Sequence, residues 1–339
     1  MAGLPKELIA FPGGSGAEVA PGDDVLSSVL RSIRLSGSLQ FCVLPSGAWH
    51  TDAAPSLANM AGASGIIPFH VVAEGGCWLK MEGHDAVLAA GDVVAFPFGS
   101  GHQLGAGSGG RLVTPVRDLP PKPWREIPVL RYGPAPHGMR LLCGYLKCDA
   151  ISFRPLRDAL PAFIHVRTRG TDTAPWLRAA VEQMVSEVDR PRAGGASVLE
   201  RLSEIVFIEL LRHQVIAARP GASGWLAALA DPALGRCLTL IHDNPRRDWS
   251  VPALSSASGV SRSTLAERFE DVLGTSPMRY LREWRLCLAR VALATTGKPL
   301  TTIAVEAGYG AEAAFNRAFA RAYGVPPASW RKAARQAQG

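Results

Sequence analysis

Residues 303–331 read IAVEAGYGAEAAFNRAFARAYGVPPASWR, and this stretch decides the fold of the C-terminal third of the chain. Ile303 lies before a glycine-containing turn, and Phe315 and Phe319 follow it one helical turn apart. This spacing predicts a short helix, a turn and a second helix, with the apolar side chains facing one core. Gly308 suits the turn, because left-handed backbone forces a Cβ clash that glycine avoids. The stretch therefore predicts a helix-turn-helix unit.

An earlier stretch, LSSASGVSRSTLAERFEDVLGTSP at residues 254–277, repeats this pattern. The corresponding positions are Leu254, Gly259, Leu265, Phe269, Gly274 and Pro277 in the first copy and Ile303, Gly308, Phe315, Phe319, Gly324 and Pro327 in the second. Residues 276–297 between the copies are predicted to form one continuous helix that holds the two units at a fixed separation. Successive major grooves on one face of B-form DNA lie about 34 Å apart. One chain is therefore predicted to place two helices in neighbouring grooves.

The positive charge of the chain is concentrated in the same region. The net charge is +7 over 339 residues, and residues 221–339 hold 15 Lys and Arg against 9 Asp and Glu. Residues 1–220 are close to neutral. A basic domain beside a neutral one indicates an anionic polymer as the partner of the basic domain.

Residues 234–330 resemble the DNA-binding domain of the AraC/XylS family of transcription regulators, and the two repeated stretches carry the resemblance. It implies a sequence-specific regulator that binds double-stranded promoter DNA, with RNA polymerase as a further partner. The positions that it implies for DNA contact are Arg262, Ser263, Thr264, Glu267 and Arg268 in the first unit and Glu312, Asn316, Arg317 and Arg321 in the second. Arg317 is the foremost candidate for a base contact, since a guanidinium bridges O6 and N7 of guanine. Arg268 and Arg321 are candidates for phosphate contact.

Simpler interpretations of these residues stay open. Glu267 would also suit a surface ion pair with Arg262 or Arg268, and each arginine would suit a solvated surface position. A protein that compacts DNA without sequence preference is a further alternative, and it predicts equal affinity for all sequences.

Residues 39–147 have a different sequence pattern, with short β-rich runs between clusters of Gly, Pro, Ser and Asp. Such a series predicts an antiparallel sandwich or barrel. Residues 91–102 read GDVVAFPFGSGH, which fits the second sequence motif of cupin barrels and ends at His102. The first motif is half present: His70 and Glu74 have the spacing of its second histidine and its glutamate, but Pro68 stands where its first histidine would be.

The incomplete motif leaves two functions open. The main expectation is a barrel without a cofactor. Two imidazoles and a carboxylate would also suit iron or zinc, so a metal at His70, Glu74 and His102 is kept as an alternative. It would make the chain a metal-dependent cupin oxygenase or isomerase with an appended DNA-binding domain.

Residues 23–217 as a whole resemble the cupin-type sensor domains that are joined to AraC/XylS DNA-binding domains. RLLCGYLKCDA at 140–150 and GGASVLERLSEIVFIELLRHQV at 194–215 carry this resemblance. It implies a regulator without catalytic residues, controlled by a small ligand or a stress signal of unknown identity. The candidate lining residues are Trp49, His50, His70, Trp78, Phe96 and His102, and each would also suit the barrel core.

The predicted fold class is α+β: an N-terminal antiparallel β-barrel of the cupin or jelly-roll kind with a helical hairpin, then an all-α domain with two helix-turn-helix motifs. The expected parts are residues 1–150, the sensor barrel; 151–217, a helical dimerisation region; 218–224, a linker; and 225–339, the DNA-binding domain. The second hairpin helix is apolar on several sides, which indicates either a homodimer or a core within one chain.

Cysteine chemistry offers a second kind of sensing. The redox candidates are Cys42, Cys77, Cys143 and Cys148. Cys42 and Cys77 could meet across a sheet, whereas Cys143 and Cys148 would stand about 16 Å apart in a continuous strand. The alternative is that all four are ordinary small core residues.

The sequence also predicts where the protein works. Its N-terminus lacks the basic region and long apolar run of a signal peptide, and no uncharged apolar stretch is long enough to cross a bilayer. A cytoplasmic protein without membrane contact is therefore expected, with its thiols reduced.

Overall fold

The computed structural model describes residues 24–32, 35–53, 65–168, 175–217 and 223–336. Its N-terminal half is built on two β-sheets. The strands are β1 (Leu35–Pro45), β2 (Trp49–Asp52), β3 (Ile66–Glu74), β4 (Gly76–Met81), β5 (His84–Ala89), β6 (Val93–Ala95), β7 (Gln103–Ala106), β8 (Arg111–Leu112), β9 (Val129–Tyr132), β10 (Arg140–Cys148) and β11 (Ile164–Val166). The six-stranded sheet has the order β11-β6-β3-β10-β1-β9, and the five-stranded sheet has the order β5-β4-β7-β2-β8.

Alternation along the strands separates two apolar cores. On β10, Leu141 and Cys143 join a core that also contains residues of the five-stranded sheet, so this core lies between the sheets. Leu142 and Leu146 join the core on the opposite face of the six-stranded sheet. Successive side chains of a strand point to opposite faces, so one strand serves both cores.

The α+β class with a cupin-like sheet domain and a helical domain is confirmed, but a closed barrel is not found in the described residues. The two sheets end in edge strands, and β1 pairs with β9, and β2 with β8, in parallel. Alternation predicts which face of a strand is buried, but it does not predict whether the edge strands of two sheets meet. The sequence pattern therefore could not distinguish a sandwich from a barrel.

Helices cover the outer face of the six-stranded sheet and form the C-terminal part. They are α1 (Val25–Ser32), α2 (Pro115–Asp118), α3 (Arg154–Ala159), α4 (Pro175–Asp189), α5 (Gly195–Ala217), α6 (Trp225–Ala230), α7 (Pro232–Asp243), α8 (Val251–Ser258), α9 (Arg262–Leu273), α10 (Pro277–Thr295), α11 (Leu300–Glu306), α12 (Glu312–Tyr323) and α13 (Pro327–Gln336), with a 3₁₀ turn at Asp149–Ser152. The hairpin α4–α5 packs on β3 and β1. Most of the expected linker, residues 218–222, lies outside the described residues. Across the ranges that the structure describes, no helix combines the length and the apolar character of a membrane span.

The two repeated units fold as the glycine positions predict. Gly259 after α8 has φ of 73°, and Gly308 after α11 has φ of 80°, so both turns use left-handed backbone. Ser261 caps α9, since its Oγ accepts a hydrogen bond of 3.1 Å from the backbone N–H of Thr264. The helix α10 joins the units without a break.

The two units differ in how their cores connect to the rest of the molecule. The first unit (α8–α9) shares one continuous apolar core with α6, α7 and the N-terminal half, residues 24–217. The second unit (α11–α12) has a separate core, formed with the C-terminal part of α10 and centred on Phe315 and Phe319. The first unit is therefore connected to the N-terminal half through the packed helices α6 and α7.

Candidate DNA-reading helices and sensor cavity

Helix α9 turns its polar side away from the core. Leu265 and Phe269 are buried beneath it, which fixes its rotation. The predicted contact residues on its exposed or half-buried side are Arg262, Ser263, Thr264 and Glu267. The hydroxyls of Ser263 and Thr264 also lie 2.9 and 2.8 Å from Oγ of Ser261. These two side chains therefore belong to the capping turn as well as to the exposed surface.

Arg268, a predicted phosphate contact, is committed to a structural ion pair. Its guanidinium binds the carboxylate of Asp231. The same carboxylate caps α7, accepting hydrogen bonds of 2.9 Å from the backbone N–H groups of Ala233 and Leu234. A phosphate would have to compete with this partner, so Arg268 is less available for DNA than its place on α9 suggested.

Helix α12 repeats the arrangement of α9 with different chemistry. Phe315 and Phe319 face its core. Of the predicted residues, Arg317 and Arg321 are exposed, whereas Glu312 and Asn316 are half-buried. The amide oxygen of Asn316 is turned inward and meets no hydrogen-bond donor within the described residues.

Equivalent positions of the two helices carry opposite charges. In the repeat alignment, Arg262 corresponds to Glu312 and Glu267 corresponds to Arg317. An arginine favours guanine, and a carboxylate accepts from the amino group of cytosine. The two helices are therefore suited to different base sequences.

Several contacts fix α10 and the second unit against the loop that leads from α7 into the first unit. Arg285 on α10 donates hydrogen bonds of 2.6 Å to the carbonyl of Pro245 and 2.8 Å to that of Arg247. Its side chain also lies directly against Gly308, at the turn of the second unit. Glu306 at the end of α11 pairs with Arg246 in the loop after α7, at 3.2 Å. These contacts, together with α10, hold the two helix-turn-helix units in a fixed arrangement.

A cavity of about 540 Å³ opens between the two sheets. Its wall is largely apolar, with Phe41, Val43, Trp49, Leu104 and Leu141 among the lining residues. The cavity also reaches three linked polar side chains, His70, His102 and Cys143. A concave apolar site with a few polar groups is the usual form of a small-molecule pocket.

These three polar side chains form a single hydrogen-bonded chain. The Sγ atom of Cys143 lies 3.1 Å from Nδ1 of His70, and Nε2 of His70 lies 2.8 Å from Nε2 of His102. Nδ1 of His102 lies 2.9 Å from the carbonyl oxygen of Ser100. Phe96 stacks on the His102 ring at 3.7 Å between centroids and holds it in place.

Burial keeps this chain uncharged at neutral pH. It lowers the pKa of His102 to about 4, and it lowers the pKa of His70 well below its ordinary value, with a further contribution from His102. It raises the pKa of the Cys143 thiol well above its ordinary value. The cavity thus presents neutral imidazoles and a protonated thiol.

The depressed pKa of His102 predicts a pH-dependent stability. As the pH falls below 6.5, the unfolded chain takes up a proton that the folded chain binds only near pH 4. The contribution of this group is therefore present at pH 7, and about 2 kcal/mol of it is lost at pH 5. In urea unfolding at the two pH values, His102→Gln should lose about 2 kcal/mol less than the parent protein. An equal loss in both proteins would contradict a buried neutral His102.

Glu74 does not join the two histidines. It lies at the end of β3, with its side chain largely exposed, and pairs with Arg140 at 3.4 Å. In the ranges that the structure describes, no three His, Cys, Asp or Glu side chains form a group that could hold a metal. The alternative triad of His70, Glu74 and His102 therefore does not fit a metal ion.

Three of the predicted lining residues do not line the cavity. His50 follows Trp49 on β2 and Trp78 lies between the buried Cys77 and Leu79 on β4, so each points to the opposite face. Trp78 instead donates a hydrogen bond of 3.1 Å to the carbonyl of Gly107. Phe96 lies behind His102. Of the predicted set, Trp49, His70 and His102 reach the cavity.

The four redox candidates are buried cysteines. Cys42 lies in β1 of the six-stranded sheet and Cys77 in β4 of the other sheet, and burial raises the pKa of each to about 12. Cys143 and Cys148 lie in the continuous strand β10. The surroundings of Cys42 and Cys77 are the opposite of the exposed, electropositive ones that activate a thiolate.

Comparison with known proteins assigns the family. A cupin family model matches residues 24–216, and a helix-turn-helix domain model matches residues 254–333. An AraC-like transcription regulator of Streptomyces antibioticus is 31% identical over 319 residues, which is 91% of this chain and 98% of that protein. The chain belongs to the AraC family. It is a transcription regulator with a cupin-type sensing domain and a helix-turn-helix DNA-binding domain.

Other relatives are similar at comparable or partial coverage. The HTH-type transcriptional regulator AlkR of Acinetobacter baylyi is 28% identical, over 91% of this chain and 99% of that protein. Among solved structures, the DNA-binding domain of AdpA in complex with a target DNA is 27% identical. The match covers 32% of this regulator and 99% of that chain, with a TM-score of 0.30.

The structure of the regulator also reveals contacts between its halves that sequence patterns did not indicate. Phe153 follows the 3₁₀ turn of the N-terminal half (residues 24–217, called the sensor half below), and its side chain is 1% exposed. Its ring centroid lies 5.3 Å from that of Tyr280 and 5.1 Å from that of Trp284, both on α10. Arg31 pairs with Asp243 at 3.1 Å. These residues are far apart in sequence, and the one available signal was a large aromatic residue outside any amphipathic stripe.

Proposed function

We propose that the regulator binds a small, uncharged, largely apolar effector in the cavity. Effector binding changes its affinity for an asymmetric promoter site. The observation that carries the proposal is the neutral Cys143–His70–His102 chain in a largely apolar cavity. A charged group buried against this chain would meet neutral imidazoles and a protonated thiol, since the charged residues of the lining, Asp52 and Arg117, are exposed to solvent. A neutral effector is therefore favoured.

The DNA contacts form the second part of the proposal. Arg262, Ser263, Thr264 and Glu267 on α9 and Glu312, Asn316, Arg317 and Arg321 on α12 are assigned to DNA. Because charge is inverted between equivalent positions, the two halves of the site differ in sequence. Arg268 is assigned to the Asp231 pair instead of a phosphate. A contact with RNA polymerase is expected from promoter-bound chains, without an assigned surface.

The route from cavity to DNA-binding domain runs along β10. Tyr145 on this strand lines the cavity, and the strand leads into the 3₁₀ turn at Asp149 and then to Phe153. The carbonyl of Asp149 accepts a hydrogen bond of 2.8 Å from Arg290 of α10. An effector that shifts β10 would therefore also shift Phe153 and Arg290. This shift would change the balance between two arrangements of the helices α9 and α12.

Arg290 extends this route to the second unit. It is 4% exposed, and its guanidinium lies over the rings of Tyr323 and Trp330, at 5.7 and 5.1 Å from their centroids. One side chain thus contacts the sensor half and the second unit together. The sensor half is connected to the first unit through the shared core, so it is connected to both α9 and α12.

A homodimer through α5 completes the proposal. Val198, Ile205 and Ile216 are exposed on this helix, and Ile205 is 42% exposed. Their spacing places them on one line along its outer side. Three exposed apolar side chains on one line are more than a solvated surface requires, and the Glu209–Arg212 ion pair lies on the same side between Ile205 and Ile216.

Substitution of this line should separate the subunits. Ile205→Glu is expected to weaken self-association about 100-fold, because a twofold axis places the charge twice in an apolar contact. Sedimentation at micromolar concentration should then give the mass of one chain, against two for the parent protein. Val87→Glu, a change of an exposed residue on β5, is the matched control and should stay dimeric. A parent protein that sediments as a monomer would contradict the dimer.

The effector part is tested with an uncharged aryl ketone, propiophenone. It should raise the melting temperature of the full chain by mass action and alter its affinity for a promoter fragment selected from genomic DNA. Val43→Trp fills part of the cavity wall and should abolish both effects while DNA binding persists. If Val43→Trp responds like the parent protein, the ketone binds elsewhere and the cavity proposal fails.

A further inference from the structure

The hydrogen-bonded chain beside the cavity has a single consistent placement of protons. The carbonyl of Ser100 only accepts, so Nδ1 of His102 carries the proton and its Nε2 is an acceptor. Nε2 of His70 must therefore donate to His102, which leaves Nδ1 of His70 as an acceptor. The remaining donor is the thiol of Cys143, which points its proton at His70. The Ser100 carbonyl thus determines the tautomers of His102 and His70 and the direction of the Cys143 S–H bond.

This arrangement is that of a nucleophile, a base and a group that orients the base. Cys143 and His70 are within hydrogen-bond distance, and His102 holds the far side of the His70 ring. The same three side chains line the cavity. A thiol paired with an oriented neutral imidazole is the constellation used for covalent chemistry at sulfur.

We propose that Cys143 is a covalent attachment site for an uncharged α,β-unsaturated carbonyl compound held in the cavity, with His70 taking the thiol proton. The proposal rests on the cavity being the effector site. The sulfur forms a bond to the β-carbon, and the electron pair of the C=C bond moves onto the α-carbon and carbonyl as an enolate. The thiol proton moves to Nδ1 of His70 and then to the α-carbon. The product is a thioether with a saturated ketone, and His70 is neutral again.

The transient charge on His70 is supported by the rest of the chain. With both nitrogens protonated, His70 donates through Nε2 to His102, which donates in turn to the Ser100 carbonyl. No proton has to leave through the surrounding apolar core. General-base assistance of this kind accelerates proton transfer by roughly 100-fold or more.

The cavity makes the site selective. Of the six cysteines, all of which lie in the described part of the chain, Cys143 is the one that lines the cavity. Its thiol is protonated at neutral pH, since burial raises its pKa. A charged alkylating agent meets no thiolate at Cys143, and the charged residues that line the cavity, Asp52 and Arg117, are exposed to solvent. Reaction therefore requires a reagent that enters the cavity and places its β-carbon at the sulfur.

The test uses the full chain with phenyl vinyl ketone and intact-protein mass spectrometry. One equivalent should add, peptide mapping should place it on Cys143, and the rate should saturate with ketone concentration. Propiophenone, which has the same shape without the C=C bond, should compete. Iodoacetate should leave the native protein unmodified. Cys143→Ser should abolish the adduct, Cys77→Ser should leave it unchanged, and His70→Gln should slow it about 100-fold.

The outcomes separate this proposal from the effector proposal. Addition to another cysteine, a rate that rises linearly without saturation, or equal rates in His70→Gln and the parent protein would overturn the role of Cys143. Propiophenone binding without addition of the vinyl ketone would overturn the covalent site and leave the effector cavity intact. If neither ketone binds, both proposals fail. Saturation and competition are measured on the parent protein, so the test does not depend on the folding of any variant.

Discussion

Phe153→Ala is expected to lower the free energy of unfolding by about 3–5 kcal/mol, which is the usual effect of removing a fully buried aromatic side chain. Phe153 is enclosed by Tyr280, Trp284 and His242, with ring centroids 5.1 to 6.1 Å away. The alanine leaves a cavity that these rings cannot fill, because Tyr280 is held by hydrogen bonds of 2.7 Å to both Trp225 and His242. Urea unfolding at pH 7 measures the effect.

A matched control distinguishes this packing from a general effect of removing a phenyl ring. Phe98 is 45% exposed, so Phe98→Ala should change the free energy of unfolding by about 0.5 kcal/mol or less. Equal changes in the two variants would mean that the contact of Phe153 with α10 does not contribute in solution.

The same substitution should also disconnect sensing from DNA binding. Phe153→Ala should still bind propiophenone, because the cavity is formed by other residues, but the ketone should no longer alter its affinity for promoter DNA. A full response of DNA affinity in this variant would contradict the route through β10 and Phe153.

Arg317→Ala should weaken binding to the preferred promoter site by about 1–3 kcal/mol and relax base preference at one position. Arg317 is exposed in the middle of α12, and its helix is fixed by Phe315 and Phe319 beneath it. A guanidinium in this place bridges two acceptors of one guanine, which alanine cannot replace. Binding titrations on a set of single-base variants of the site measure both effects.

Two other arginines provide matched controls for Arg317. Arg321→Ala, one turn further along α12, should weaken all sequences about equally and lower the salt dependence by about one charge, as for a phosphate contact. Arg268→Ala should leave base preference unchanged, since its partner is Asp231. If Arg317→Ala weakens every sequence equally, direct base readout by this residue is wrong.

Local sequence patterns predicted the parts of the structure that local physics determines. Gly259, Gly308 and Ser261 follow from backbone sterics and helix capping within a few residues, so the two units could be derived without a fold. The opposite faces of Trp49 and His50 were also predictable, because neighbours on a strand cannot both face one cavity. That alternation was the signal to reject His50 and Trp78 as lining residues.

Long-range pairings were beyond sequence patterns. Arg268 and Asp231 lie 37 residues apart, and Cys143 lies 73 residues from His70, so their contacts depend on how whole elements pack. The same is true of Glu74, which has the spacing of a metal ligand. Its carboxylate instead forms an ion pair with Arg140 at the end of β3. Motif spacing placed these residues on the right strands without placing their side chains.

Footprinting of DNA bases by chemical modification tests the central claim, which is that one chain reads two neighbouring major grooves with two braced helices. The regulator is bound to a site selected from genomic DNA, and native mass spectrometry counts the chains per DNA. One bound chain should protect two major-groove segments of different sequence on the same face, about 34 Å apart. Protection of a single groove segment by each chain would contradict the account.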